Sequence, residues 1–359
     1  MATTTSPFLI TTVGPKTNVT LSNEMVFNDD TLVSVIAYCC LFVVAAAGNL
    51  TVFITLFRNR GFRSRVNTFI MHLAIADLIV AFIMLPLETI WHVTVSWDAG
   101  DFMCRVMMFW RAFGFYLSSF ILMTISLDRY YSIVHPLSIF DTPRRARIML
   151  AIAWLMSIAA SLPQSVIFHV EHHPLYPWFT QCVTFNFFPS PLHELAYSLF
   201  NVIAVYVLPL VVITTVYILI LFKVFRNAHR VKGDETPNLR SFQRSIHGSS
   251  AIIDKAKIRT LKMTLVIVGA FVVCWTPYFV MAAYWWFDKE AAKKINPKVQ
   301  RGLFLFAVSN ACIDPVVYGM FTTTFRREAK KWTDMFKSKL TGIGVSSRNT
   351  PQRPNEVFI

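Results

Sequence analysis

Charge is scarce in this chain. Asp, Glu, Lys and Arg make up only 15% of its 359 residues, while 55% are hydrophobic. A soluble domain carries roughly 25% charged residues, so the composition excludes an ordinary soluble globular protein. Also missing is any constellation of nucleophile and base, or of metal ligands, in the apolar runs or between them, which argues against an enzyme. His169, His172 and His173 lie close together but lack the convergent spacing of a metal centre. The last apolar run, Gly302–Phe325, has no lysine, which excludes a retinal Schiff base. No paired inverted repeat is found, as many transporters would require. No cleavable signal is visible in Met1–Thr31, and no cysteine follows Phe325 to take a palmitoyl chain.

Seven apolar runs stand where charge is missing: Thr31–Phe57, Val66–Leu87, Ala112–Leu127, Ile148–Val170, Leu195–Phe222, Met263–Phe287 and Gly302–Phe325. A hydrocarbon core of about 30 Å takes roughly 20 helical residues. With their flanks, the runs predict spans over 31–57, 66–92, 101–135, 147–170, 194–226, 255–287 and 298–322. The expected fold class is an all-α membrane protein, a seven-transmembrane helix bundle with a short amphipathic eighth helix. Residues 1–30 would be an outer tail, 31–322 the bundle, 323–337 the amphipathic helix and 338–359 a cytoplasmic tail. In the amphipathic helix Phe325, Trp332 and Phe336 sit among Arg326, Arg327, Lys330 and Lys331, a composition suited to membrane lipid.

Alternate connections hold 25 of the 34 Lys and Arg residues. The positive-inside rule therefore places the amino terminus outside and the carboxyl terminus in the cytosol, as expected of a multi-pass plasma-membrane protein. The net charge of +14 follows from this bias and from anionic lipid, with no nucleic acid as partner. Asn18–Val19–Thr20 is a glycosylation sequon in the outer tail. Gly233–Ser250, polar and without apolar periodicity, reads as a flexible cytosolic linker.

Ionisable and polar residues inside the runs mark function. The third run, extended to Cys104–Pro136, carries Arg111 and Arg129 18 residues apart, five helical turns, so both lie on one face. Asp77 and Asp314 fall in the second and seventh runs. Glu88 lies at a depth similar to Arg111 on the neighbouring span, so the two are either partners or both face a ligand. Asn49 needs a hydrogen-bond partner on another helix. Pro277 breaks the sixth run and gives it an inner half able to swing. Cys39, Cys40, Cys274 and Cys312 lie within spans and are expected to pack as small apolar residues. Cys104 and Cys182 remain on the outer side, where oxidation is permitted, and are expected to pair.

Gly48–Asn49, Leu73–Asp77, Cys104, Asp128–Arg129–Tyr130, Trp154, Pro209 with Tyr217, Cys274–Trp275–Thr276–Pro277 and Asp314–Pro315–Val316–Val317–Tyr318 follow one another helix by helix. In that order they resemble the rhodopsin-like (class A) G-protein-coupled receptors. Pro86–Trp97 and Tyr284–Asp288 are similar to the superfamily of gonadotropin-releasing-hormone, adipokinetic-hormone and corazonin receptors. Ile125–Tyr131 and the Asp–Pro form of the seventh-helix motif resemble its invertebrate, adipokinetic-hormone-type branch. Vertebrate members use an acidic residue at the outer start of the seventh helix to meet an arginine of their ligand; this chain has Asn296–Pro297–Lys298 there.

The resemblance implies a receptor for a short amidated neuropeptide of the adipokinetic-hormone type, signalling through Gq, Gs or both. The adipokinetic-hormone/corazonin-related peptide and corazonin are alternative ligands, and an orphan receptor for another peptide or a lipid is a remoter one. Glu88, Trp91, Arg111, Tyr278, Phe279, Trp285 and Trp286 would bind the peptide. Asp77, Ser118, Asn310 and Asp314 resemble the class's sodium cluster, an allosteric ion being the one cofactor implied. Asp128, Arg129, Tyr130, Tyr217, Trp275, Pro277, Asp314, Pro315 and Tyr318 would form the activation switch. A heterotrimeric G protein would dock inside against Arg129, Ile133–Pro136 and Lys255–Lys262. Receptor kinase and arrestin would act on Ser338, Thr341, Ser346, Ser347 and Thr350.

Overall fold

The computed structural model describes residues 25–58, 65–134, 142–233, 240–292 and 294–322, together with Asp334. The glycosylation sequon at Asn18, all of the amphipathic segment 323–337 except Asp334, the inner residues His135 and Pro136, and the tail serines and threonines lie outside them. Seven helices among the described residues are long and apolar enough to cross a membrane. The first is Asp29–Arg58, the second Arg65–Thr94, the third Gly100–Val134 and the fourth Thr142–Ile167. The fifth runs from Pro191 to Gly233, the sixth over Arg240–Phe287 and the seventh over Pro297–Phe321. The third span is the axis of the bundle. Its middle, from Ala112 to Leu122, is buried almost without interruption, and it packs against the second, fourth, fifth and sixth spans.

The sixth helix extends back to Arg240, so the latter part of Gly233–Ser250 is helical rather than a flexible linker. Its polar residues lack an apolar stripe, but a helix already nucleated by the apolar span propagates into them at little cost. The chain is also not entirely helical. Strands β1 (His169–His172) and β2 (Thr180–Val183) form an antiparallel hairpin, with Val170 opposite Cys182 and Glu171 opposite Gln181. Of the cysteines within spans, Cys39 and Cys40 lie on the exposed face of the first helix, whereas Cys274 is buried.

Prolines shape the spans. A proline has no N–H for the carbonyl four residues back and crowds it with its ring. In the second span the turn before Pro86 opens into a π-helix, Val80–Met84, with the Leu85 N–H donating five residues back to the Val80 carbonyl. In the fifth, Ile203–Val207 does the same before Pro209, with Leu208 donating to Ile203. In the seventh, the helix is interrupted at Ser309 and Pro315 leaves the Ala311 carbonyl without its helical donor; Asn49 Nδ2 supplies one at 2.8 Å. Gly48 allows this approach, since a Cβ there would stand 2.9 Å from the Pro315 ring. Gly114 receives the first π-helix in the same way, a Cβ there meeting Val80 Cγ2 at 2.9 Å.

The outer ends are tied together. Cys104 and Cys182 form a disulfide with Cα atoms 5.7 Å apart, fastening the hairpin to the third helix. Trp97 packs against it, with Leu87, Met108 and Phe168 around. Asp30, at the start of the first helix, meets Lys298 of the seventh at 2.9 Å.

Candidate functional site

A cavity of about 750 Å³, counting the solvent in its open mouth, lies among the fourth, fifth, sixth and seventh spans beneath the hairpin. Its walls include Gln164, Tyr197, Asn201, Tyr278, Phe279, Trp285, Trp286 and Gln300. Four of the seven residues expected to bind peptide therefore line one space: Tyr278, Phe279, Trp285 and Trp286. Its aromatic lining is that of a site that binds by burying rings, with a few polar groups to orient them. One such group is waiting: Trp285 Nε1 is buried without a hydrogen-bond partner.

Glu88 and Arg111 stand beside this cavity and face each other. Arg111 Nη2 meets Glu88 Oε1 at 2.7 Å, and the residues are only 6% and 5% exposed. The Arg111 guanidinium also lies 5.3 Å from the centre of the Phe304 ring, which in turn contacts Tyr278. Of the two arrangements left open for this pair, the structure holds the partnered one. Trp91 goes elsewhere: its indole N–H donates to Gln181 Oε1 at 2.8 Å and its ring packs edge-on to Trp97. It holds the roof of the bundle instead of lining the cavity. Gln181 completes the tie by donating to the Val95 carbonyl at 2.6 Å. The loop histidines have separate partners, His169 with Glu171 and His172 with the Pro177 carbonyl.

In the cavity wall, Tyr116 donates to Asn201 Oδ1 at 2.7 Å and Gln164 Nε2 to the same oxygen at 3.2 Å. This hub joins the third, fourth and fifth spans. Sequence patterns gave no hint of it, because each residue alone looks like an isolated polar substitution. Next comes an aromatic stack. Trp275 lies 5.0 Å from Phe115 and 5.6 Å from Phe279, and Phe279 stacks on Tyr206 at 4.6 Å. Tyr206, turned inward by the second π-helix, hydrogen-bonds Thr276 next to Pro277.

At mid-bundle, Asp77, Ser118 and Asn310 line a second, smaller cavity, and Asp314 is buried next to Asp77. Ser118 Oγ donates to Asp77 Oδ1 at 3.4 Å. The Asp77 and Asp314 carboxyl groups lie within hydrogen-bonding reach of each other, and no other group donates to Asp77 Oδ2, Asn310 Oδ1 or either Asp314 oxygen. Two facing carboxyl groups with an amide oxygen beside them are a hard donor set that suits a small cation. Among the described residues no group of three His, Cys, Asp or Glu could hold a metal ion, so any cation here would rely on the hydroxyl and amide as well.

At the inner end, Asp128 is 0% exposed and pairs with two arginines. Arg129 of the same helix takes Oδ2, and Arg65, at the start of the second span, takes Oδ1 at 3.2 Å. Tyr217 donates to Thr264 of the sixth span at 2.7 Å, and Tyr318 is buried. Tyr130 packs its ring edge-on against Tyr131. Arg65 was not singled out from sequence because it ends a run of cytosolic arginines that the membrane orientation already explains. A further unforeseen pair is Trp154 Nε1 with His72 Nδ1, at 3.2 Å.

The chain matches the family described as "7 transmembrane receptor (rhodopsin family)" over residues 48–318. It is similar to a gonadotropin-releasing hormone II receptor of Clarias gariepinus, 40% identical over 300 residues, which cover 83% of this chain and 77% of that protein. A gonadotropin-releasing hormone receptor of Sus scrofa is 35% identical over 263 residues, 72% of this chain and 77% of that one. A gonadotropin-releasing hormone II receptor of Chlorocebus aethiops is 35% identical over 291 residues, 80% and 75% of the two.

Proposed function

This chain belongs to the rhodopsin family of seven-transmembrane receptors and, within it, to the gonadotropin-releasing-hormone, adipokinetic-hormone and corazonin receptor superfamily; on that footing we propose that it is the receptor for a short amidated peptide of the adipokinetic-hormone type. It is a peptide-hormone receptor and not an enzyme. The observation that carries the finer assignment is the outer start of the seventh span. Asn296 caps the helix by accepting from the Lys298 N–H, and the Lys298 ammonium is paired with Asp30. Among the described residues, none there offers a free carboxylate to an arginine of the ligand. A ligand lacking that arginine, and binding through aromatic side chains, suits the cavity of Tyr278, Phe279, Trp285 and Trp286.

The peptide acts by binding the signalling conformation better than the resting one. Its rings would rest on Phe279 above Trp275, so that a shift at the cavity floor reaches Pro277 and the inner half of the sixth span. Arg129 would then leave Asp128, exposing an inner face for a heterotrimeric G protein of the Gq or Gs type, with receptor kinase and arrestin following. The orientation, amino terminus outside at the plasma membrane, rests on the charge bias of the connections. Sodium at Asp77, Ser118, Asn310 and Asp314 is supported by their facing oxygens; when bound it would offset the buried carboxylate charge.

The test is calcium and cyclic-AMP response in cells displaying the chain, challenged in parallel with adipokinetic-hormone, corazonin and adipokinetic-hormone/corazonin-related peptides. Response to the first at far lower concentration than to the others is expected. A preference for either of the others reassigns the ligand within the superfamily. Silence to all three, with the receptor at the surface, removes the assignment and favours an unrelated peptide or a lipid.

A further inference from the structure

The pairing of Asp128 with two arginines sets a problem for any motion that withdraws one of them. The Asp128 carboxylate is fully buried, and each of its oxygens has a cationic partner: Arg129 on Oδ2 and Arg65 on Oδ1. A buried carboxylate left without a cation is strongly destabilised, because its hydration is not restored when the partner goes. If Arg129 departs, the receptor needs something to remain on Asp128. Arg65 is placed to do so. It sits on the second span, which packs directly along the third, and not on the sixth, whose inner half must move. Its side chain is 36% exposed. It therefore approaches the carboxylate from the solvent side, does not have to be buried to stay there, and can follow small movements of the third helix.

We infer that Arg65 is the positioning residue that keeps Asp128 neutralised once Arg129 has left it, and so lowers the free-energy cost of reaching the G-protein-binding state. This rests on reading Arg129 as the switch. It makes a claim opposite to the simplest view of such a contact. An arginine that merely bolted the second span to the third would hold the resting state, and its removal would ease activation. An arginine that succeeds Arg129 on Asp128 favours the activated state, and its removal hinders activation.

Binding of nucleotide-free Gq and Gs heterotrimers to the purified full-length receptor in lipid nanodiscs, without peptide, separates the two. Five receptors are compared: wild type, Arg65→Gln, Asp128→Asn, the double variant, and Arg65→Lys as the charge-conserving control. Arg65→Gln is expected to raise the heterotrimer concentration for half-saturation at least about threefold, since the lost partner belongs to a buried charge, while Arg65→Lys stays near wild type. In the Asp128→Asn background, where no carboxylate remains to be neutralised, Arg65→Gln is expected to change nothing. Tighter heterotrimer binding by Arg65→Gln, or an unchanged loss in the Asp128→Asn background, would overturn the inference. Asp128→Asn should itself tighten heterotrimer binding by freeing Arg129. If it does not, while residues 65 and 128 still prove coupled in thermal stability, the switch reading fails and the pairing stands.

Discussion

The Asn49 side-chain amide donates to the Ala311 carbonyl, the acceptor that Pro315 deprives of its helical donor. Gly48 and Asn49 thus serve one purpose from two sides, Gly48 by leaving room for the proline ring and Asn49 by satisfying the carbonyl the proline frees. Asn49→Ala should cost about 1 kcal/mol, the loss of a buried hydrogen bond. Gly48→Ala should cost more, because its Cβ must displace a ring held in a helix. Thermal unfolding of the purified receptor measures both. Equal tolerance of the two substitutions would contradict this account of the joint.

Val95 ends the outer part of the second span with φ +61°, a conformation that β-branched residues avoid. It is held by its own N–H on the Trp91 carbonyl and by Gln181 on its carbonyl oxygen. Strain of this kind costs on the order of 1–3 kcal/mol, and glycine returns about 1 kcal/mol of it as lost chain entropy. Val95→Gly is therefore expected to stabilise the receptor by about 1 kcal/mol, read as a higher unfolding temperature. A lower one would mean that the isopropyl group packs better than its backbone suggests.

For the buried pair of Glu88 and Arg111, removing one member strands the other. Arg111→Gln should lose roughly 3–5 kcal/mol and with it most surface expression. The double variant Glu88→Gln/Arg111→Gln buries no net charge and should recover the surface receptor while still failing to answer peptide. Flow cytometry of the displayed receptor alongside calcium release makes the comparison. Full peptide potency in the double variant would remove the pair from ligand recognition.

Sodium dependence tests the mid-bundle oxygens without any peptide. Exchanging sodium chloride for choline chloride should lower the unfolding temperature of the wild-type receptor, because a ligand of the folded state stabilises by mass action. Asp77→Asn should abolish that difference. An unchanged wild-type unfolding temperature would leave those oxygens without a cation.

Much of the frame is legible in the sequence itself. The seven runs, the lone outer cysteines and the in-span prolines follow from membrane thickness, redox compartment and backbone chemistry, each a local property. Trp285 and Trp286 were likewise legible as an aromatic cluster at an outer helix end. What escaped depends on partners far apart in the chain. The hairpin is fixed by Val170 meeting Cys182, not by any alternation strong enough to announce two strands of four residues. Arg65 lies 63 positions from Asp128, and Asn201 lies 85 from Tyr116. By residue type and position Trp91 groups with the ligand-binding aromatics, but type says nothing of rotation; the Gln181 contact shows which way it faces.

The π-helix at Val80–Met84 has a bearing on how such a chain tolerates insertion and deletion. An extra residue in one turn turns everything beyond it by about 100° relative to an uninterrupted α-helix. Asp77 lies before that turn and Glu88 after it. Deleting a single residue from Val80–Met84 would therefore let the turn close to regular α-helix with Asp77 and Glu88 still on their present faces, whereas closing it without a deletion would carry Glu88 about 100° away from Arg111. The wide turn marks the place where this span can lose one residue and keep its outer site.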